Sequence, residues 1–196
     1  MSQNKIKYGL KSVFYAIGTP STNGSMTYAT PVAFPGAVSL SLDPQGDNVK
    51  FYADNIEYWV GNGNNGYTGT LEIARIIDSF KTDVLGNIKD GKDVYVEDMN
   101  APIVHFALLF QFEGDQKATK HVFYNCTCSR ANVGSNTKGE NIEPQTETLN
   151  LSCASIYSAN LDKDVVKAEC TGDSDNTTYS SWTSAVYMPT APSTST

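Results

Sequence analysis

Residues 104–112 are apolar on both parities, and this constrains the fold more than any other run in the chain. Val104, Phe106, Leu108, Phe110 and Phe112 lie on one face of an extended chain, Ala107 and Leu109 on the other. A strand with one wet face would alternate. A strand apolar on both faces has to be covered on both. Glu113-Gly114-Asp115-Gln116 then turns the chain back into residues 119–128. The two runs predict a long antiparallel hairpin at the centre of the fold.

Other segments predict further strands. Ile6, Tyr8 and Leu10 share one parity, then Val13, Tyr15 and Ile17 share the other, so the phase slips at Lys11-Ser12 and a bulge or bend is expected there. Residues 38–42 alternate cleanly and stop at Asp43-Pro44-Gln45-Gly46. Residues 49–53, 67–74, 145–153 and 165–170 read as strands, with Leu149, Leu151 and Cys153 on one face. Asp78 can cap a short helix over 79–85, with Phe80 and Val84 on one face and Gly86 past its end. Residues 177–187 predict a short terminal helix carrying Tyr179, Trp182 and Val186 on one side. The chain therefore reads as mainly β, one domain over 1–188, with a small polar tail at 189–196 expected to be disordered.

Charge limits the partners. Charged residues are 18% of the chain and the net charge is −7. Adhesion to DNA, RNA or anionic lipid needs a basic footprint, which this balance lacks. The four cysteines, Cys126, Cys128, Cys153 and Cys170, are too few for a disulfide-stapled scaffold. The N-terminus has no apolar run of the signal-peptide kind, and the longest apolar stretch, 103–112, is about half of what a spanning helix needs. The expectation is a chain that stays in a reducing cytoplasm, with no membrane partner. The acceptor-like triplets at Asn125 and Asn176 are then coincidences.

Catalytic constellations are missing. The sequence has no nucleophile elbow, phosphate-binding loop, dinucleotide fingerprint or HExxH. His105 and His121 fall on the two strands of the central hairpin and could approach each other, with Cys126 and Cys128 on the second strand. A zinc site can be built from such residues. The Cys-x-Cys spacing lacks the usual CxxC pair, and the plainer reading is one of core histidines and small buried thiols. The four acids between Asp90 and Asp98 lack the order of a calcium loop and read as a solvated turn. No cofactor, metal ligand or catalytic residue is assigned.

One segment points outward. Between Asp43 and Thr70 lies a long Gly/Asn-rich stretch carrying Phe51, Tyr52, Tyr58, Trp59 and Tyr67. Two readings are open: these rings pack the segment onto its own domain, or they dock another subunit.

The runs YGLKSVFYAI (8–17), TPVAFPGAVSLSLDPQGDNVKFYADNIEYWV (30–60), NNGYTGTLEIA (64–74), HFALLFQFEGDQKATKHVFYNCT (105–127) and IEPQTETLNLS (142–152) resemble the major tail proteins of long, non-contractile-tailed bacteriophages (siphovirus type) of Gram-positive bacteria. The resemblance covers about residues 5 to 188. It implies a β-sandwich or barrel-like tail tube fold with one short flanking helix and a long loop between early strands, a fold shared with the tube proteins of contractile tails and type VI secretion.

The resemblance also implies a role in the virion, with assembly in the host cytoplasm. Subunits would form hexameric rings whose inner sheets close a lumen, and rings would stack into the tube that delivers genome DNA. The implied partners are further copies of the chain, a tape measure protein, a tail terminator and distal initiator proteins. Double-stranded DNA would pass through without specific binding. Six copies at −7 each would carry −42, and such a lumen offers DNA no counterion release. The long loop matches Asp43 to Thr70, so Phe51, Tyr52, Tyr58, Trp59, Asn64 and Tyr67 become the candidate contacts between subunits or rings. Alternatives are a tail terminator, a receptor-binding β-protein, or a small metal-dependent β-fold enzyme using His105 and His121.

Overall fold

A computed structural model describes residues 6–115, 117–138, 143–172 and 177–191. In chain order the elements are β1 (Leu10–Pro20), β2 (Met26–Tyr28), β3 (Val32–Ala33), β4 (Ala37–Pro44), β5 (Asn48–Ala53), β6 (Ile56–Asn62), β7 (Tyr67–Ile73), α1 (Asp78–Asp83), β8 (Ile88–Lys89), β9 (Tyr95–Val96), β10 (His105–Phe112), β11 (Lys120–Cys128), β12 (Glu147–Ala154), β13 (Ile156–Ser158), β14 (Lys163–Val165), β15 (Lys167–Cys170) and α2 (Thr177–Ser181). The chain is mainly β, as expected.

The expected central hairpin forms. β10 and β11 pair antiparallel, with Leu108 opposite Phe123 and Phe110 opposite His121. Both faces are covered, and by different parts of the chain. Phe106, Leu108 and Phe110 join a cluster with Tyr15, Phe34, Leu71, Phe80 and Leu149. Ala107 and Leu109 join a second cluster with Tyr124, Ile156 and Trp182. The alternation of the two sets along one strand is the period-two geometry of the pleat.

The main sheet runs β2-β1-β10-β11-β12-β7-β4, with β3 added on β1 and β15 on β11. Strand β11 is shared along its length. Its first half, Lys120 to Phe123, pairs β15, and its second half, Asn125 to Cys128, pairs β12. Residues from β1 and β10 and residues from β7 and β12 meet in the same cluster, so the sheet bends over its own core. Strands β1 and β4, from opposite halves of the sheet, approach each other with no ladder between them among the described residues. The result is a sandwich-like sheet curled most of the way to a barrel.

Local chemistry explains the irregularities. The β1–β10 register shifts between Lys11 and Phe14, and Ser12 takes φ 53°, which places the expected bulge where the apolar phase slipped. Gly69 is required by close approach: a Cβ there would lie 1.8 Å from the Ser41 carbonyl oxygen of β4.

Among the described residues two helices flank the sheet, where the resemblance implied one. Helix α1 differs from the expectation in its cap. It starts at Asp78, and Ile77 at the N-cap offers no side-chain bond. The Asp78 carboxylate binds Lys81 at 3.0 Å instead. The helix is held from below: Phe80 stacks on Phe34 at 4.5 Å and meets Tyr15 and Phe106 edge-on at 5.0 and 5.7 Å. The expected helix over 177–187 is only the single turn α2. Beyond it Trp182 buries in the second cluster, stacked on Tyr187, and its Nε1–H donates to the His121 carbonyl. Of the expected tail, Pro189 is buried and its carbonyl accepts from Asn160, while 192–196 lie outside the described residues.

Candidate functional site

The stretch from Asp43 to Thr70 is not irregular: its ends belong to β4 and β7, and between them β5 and β6 form an ordered two-stranded ribbon that, among the described residues, pairs with no other strand. Asp54 and Asn55 form its tip, both with positive φ, 53° and 65°. Two left-handed residues between Ala53 and Ile56 make the tight turn whose twist suits a hairpin, and Asp and Asn tolerate that conformation. The root is tied by main-chain bonds: Gln45 N–H to Gly66 O at 2.8 Å and Asn65 N–H to Gln45 O at 2.9 Å.

Alternation along the ribbon does not bury one face. Phe51 sits directly opposite Trp59, and Val49 opposite Gly61. The indole of Trp59 lies across Gly61, where a Cβ would be 2.3 Å from Cη2. Tyr58 is 71% exposed, and Phe51 and Trp59 are each 57% exposed. Val49, Tyr52, Ile56 and Val60 are exposed as well. Lys50 and Glu57 pair at 2.6 Å across the strands. An isolated hairpin is marginal in water, and this one spends its apolar side chains on solvent.

Four of the six sequence candidates, Phe51, Tyr52, Tyr58 and Trp59, therefore gather on the ribbon. The other two do not. Asn64 shapes the root, its Oδ1 accepting from the Gly66 N–H at 3.1 Å. Tyr67 opens β7 and packs edge-on against Phe123 at 5.1 Å, as part of the core.

A second exposed apolar group was not anticipated. The acid-rich turn at 90–98 is real, with Asp90 Oδ1 accepting from the Lys92 and Val94 N–H groups at 2.8 Å each. It joins the short strands β8 and β9, which leave Ile88, Val94 and Val96 exposed, followed by Met99 and Ile103. The alternation of Val94 and Val96 was its only signal. Next to it, an open groove of about 710 Å³ is lined by Leu85, Ile103, Cys128, Arg130 and Leu151 among others. Burial pushes the Cys128 thiol up to about 12, which makes it a poor nucleophile.

The two histidines do not meet. The antiparallel register sets them at opposite ends of the β10–β11 hairpin, since His121 is opposite Phe110 and His105 lies beyond the Phe106–Cys126 pair. His105 Nδ1 is 2.7 Å from Asn125 Oδ1, which can only accept, so Nδ1 carries the proton. His121 stacks on Phe110 with Glu169 at 3.7 Å, and burial holds its pKa below the ordinary histidine value. Among the described residues no three metal-ligating side chains converge, and no helix is long and apolar enough to cross a membrane.

No protein-family model matches this sequence, and no curated protein matches it. Among solved structures, one match is a chain in the cryo-EM structure of the anti-feeding prophage (AFP) baseplate, six-fold symmetrised. It has a TM-score of 0.45 and 12% identity, and covers 89% of this chain and 100% of that one. A likeness of that size assigns neither family nor function.

Proposed function

We propose that this chain is a structural subunit of a phage tail, that copies of it join edge to edge into six-membered rings, and that the rings stack into a tube that conducts DNA. The observation that carries this reading is the β5–β6 ribbon, with Phe51, Tyr58 and Trp59 in solvent on a hairpin that leaves the sheet. A monomer gains nothing from that arrangement, whereas a neighbouring subunit can cover it. The free edge of β4 adds a second reason. Among the described residues no strand pairs with its outer N–H and C=O groups, which invite another strand, and a head-to-tail contact that closes by rotation makes a ring. The extended sequence resemblance to tail tube proteins supports a tube as the assembly.

Under this reading the ribbon reaches a second copy in the neighbouring ring, and Asn64 and Tyr67 act by fixing its root. The role is structural, with no catalytic residue and no cofactor. Tape measure, terminator and initiator proteins are the expected partners, and DNA passes without specific contacts.

Replacing Phe51 and Trp59 together with Ser tests it. Both are exposed, so Tm should change by less than about 2 °C, while assembly into tubes should be lost. Tubes of unchanged length and yield from the double variant would overturn the role of the ribbon. A wild-type chain that stops at one ring would indicate a terminator, and a trimer a receptor-binding protein.

A further inference from the structure

The β11–β12 ladder places two thiols directly across from each other. Cys126 and Cys153 are register partners, flanked by Asn125 opposite Ala154 and Thr127 opposite Ser152. Their Sγ atoms are 3.0 Å apart, and both residues are buried. The position in the ladder is also suitable. Ser129 N–H donates to Asn150 O three residues further along. Bonded and non-bonded pairs alternate in an antiparallel ladder, so Cys126 and Cys153 occupy a non-hydrogen-bonded pair, where Cα atoms are about 4.5 Å apart and side chains closest. That separation falls inside the range a disulfide spans. In register, Cys128 faces Leu151 and Cys170 faces Lys120.

We propose that Cys126 and Cys153 form a modification site, a dithiol that a hydroperoxide converts to an intrachain disulfide clamping β11 to β12. One thiolate attacks the peroxide oxygen, the O–O bond breaks, and water leaves behind a sulfenic acid. The partner sulfur then attacks that sulfur, the S–O bond breaks, and a second water leaves. Two thiols lose two electrons and two protons, and one hydrogen peroxide becomes two waters. Burial raises the Cys126 thiol well above its ordinary value, so thiolate is scarce and the reaction is slow. The pair stays reduced where thiols are maintained and closes after the chain leaves such a compartment.

The clamp has a structural consequence. Among the described residues, the short ladder from Asn125–Ala154 to Cys128–Leu151, extended by the Ser129–Asn150 bond, joins the β1–β10–β11 half of the sheet to the β12–β7–β4 half. A bond at the second of these pairs fixes that junction. The proposal does not depend on the assembly reading.

The test uses the full chain, wild type and a Cys128→Ser/Cys170→Ser variant, treated with hydrogen peroxide and then alkylated under denaturing conditions. The expected product has lost about 2 Da as a monomer, yields a peptide linking 126 to 153, and unfolds about 5–10 °C higher until dithiothreitol reverses the shift. Four alkylated thiols in the treated wild type, linkage through other cysteines or between chains, or over-oxidation of Cys126 without a link would each overturn it. A 126–153 link with no rise in Tm would overturn the clamp.

Discussion

Phe80→Ala tests how the first core cluster holds the helix at its edge. Phe80 is fully buried, stacked on Phe34 and edge-on to Tyr15 and Phe106. Truncating a buried phenylalanine costs about 3–5 kcal/mol, and with three aromatic contacts this one is taken at the middle of that range, about 4 kcal/mol. For a chain of this size that is a fall in Tm of roughly 8–16 °C. Domains are stable by only about 5–15 kcal/mol, so the variant should fold but sit close to the limit. Helix α1 has no side-chain cap and six residues, so it cannot stand without this anchor. The Tyr15 hydroxyl, which donates to Asp83 at 3.0 Å, would lose its partner as the helix lifts. Urea unfolding gives the free energy, and amide exchange over 78–85 reads the helix directly. Phe80→Leu should cost less than half as much. A loss under about 1 kcal/mol, or unchanged protection of α1 in the alanine variant, would refute the claim that the aromatic stack holds the helix.

Two further outcomes follow from single residues. Gly69→Ala pushes a Cβ into the Ser41 carbonyl, so it should cost about 1–3 kcal/mol and speed amide exchange in β4, measured against the unaffected β10–β11 hairpin. His121 is held below its ordinary value chiefly by burial, with Lys167 and Lys7 acting in the same sense and Glu169 and Asp115 opposing. As pH falls through about 6.5 the unfolded chain takes up this proton first, so stability drops there and is recovered above it. Thermal scans between about pH 7.5 and 5.5 should show a shallower decline in His121→Gln than in wild type; equal slopes would remove His121 as the cause.

What the sequence disclosed was period and phase. The two-sided apolar run at 104–112 predicted a doubly covered strand, and the parity slip at Lys11-Ser12 predicted the bulge, because both follow from which side of the pleat a residue faces. Pairing partners were not legible. Nothing local says that β11 divides its length between β12 and β15, or that β8 and β9, at two residues each, pair at all. The candidate site was half legible. The density of rings between Phe51 and Tyr67 was visible, but register alone separates the solvent-facing Trp59 from Tyr67, which packs on Phe123. The same limit hid the Cys126–Cys153 pair and made the two histidines look like neighbours, since alignment across a ladder is set by tertiary contacts.

The most direct measurement of the central claim is negative-stain electron microscopy of the purified protein across a concentration series, with mass photometry of the same samples. The account predicts hollow rings with six-fold symmetry, a mass six times the 21.3 kDa chain, and end-to-end stacking into tubes as concentration rises. A closed assembly of another symmetry, or a monomer that forms neither rings nor tubes even with tail initiator proteins added, would contradict it.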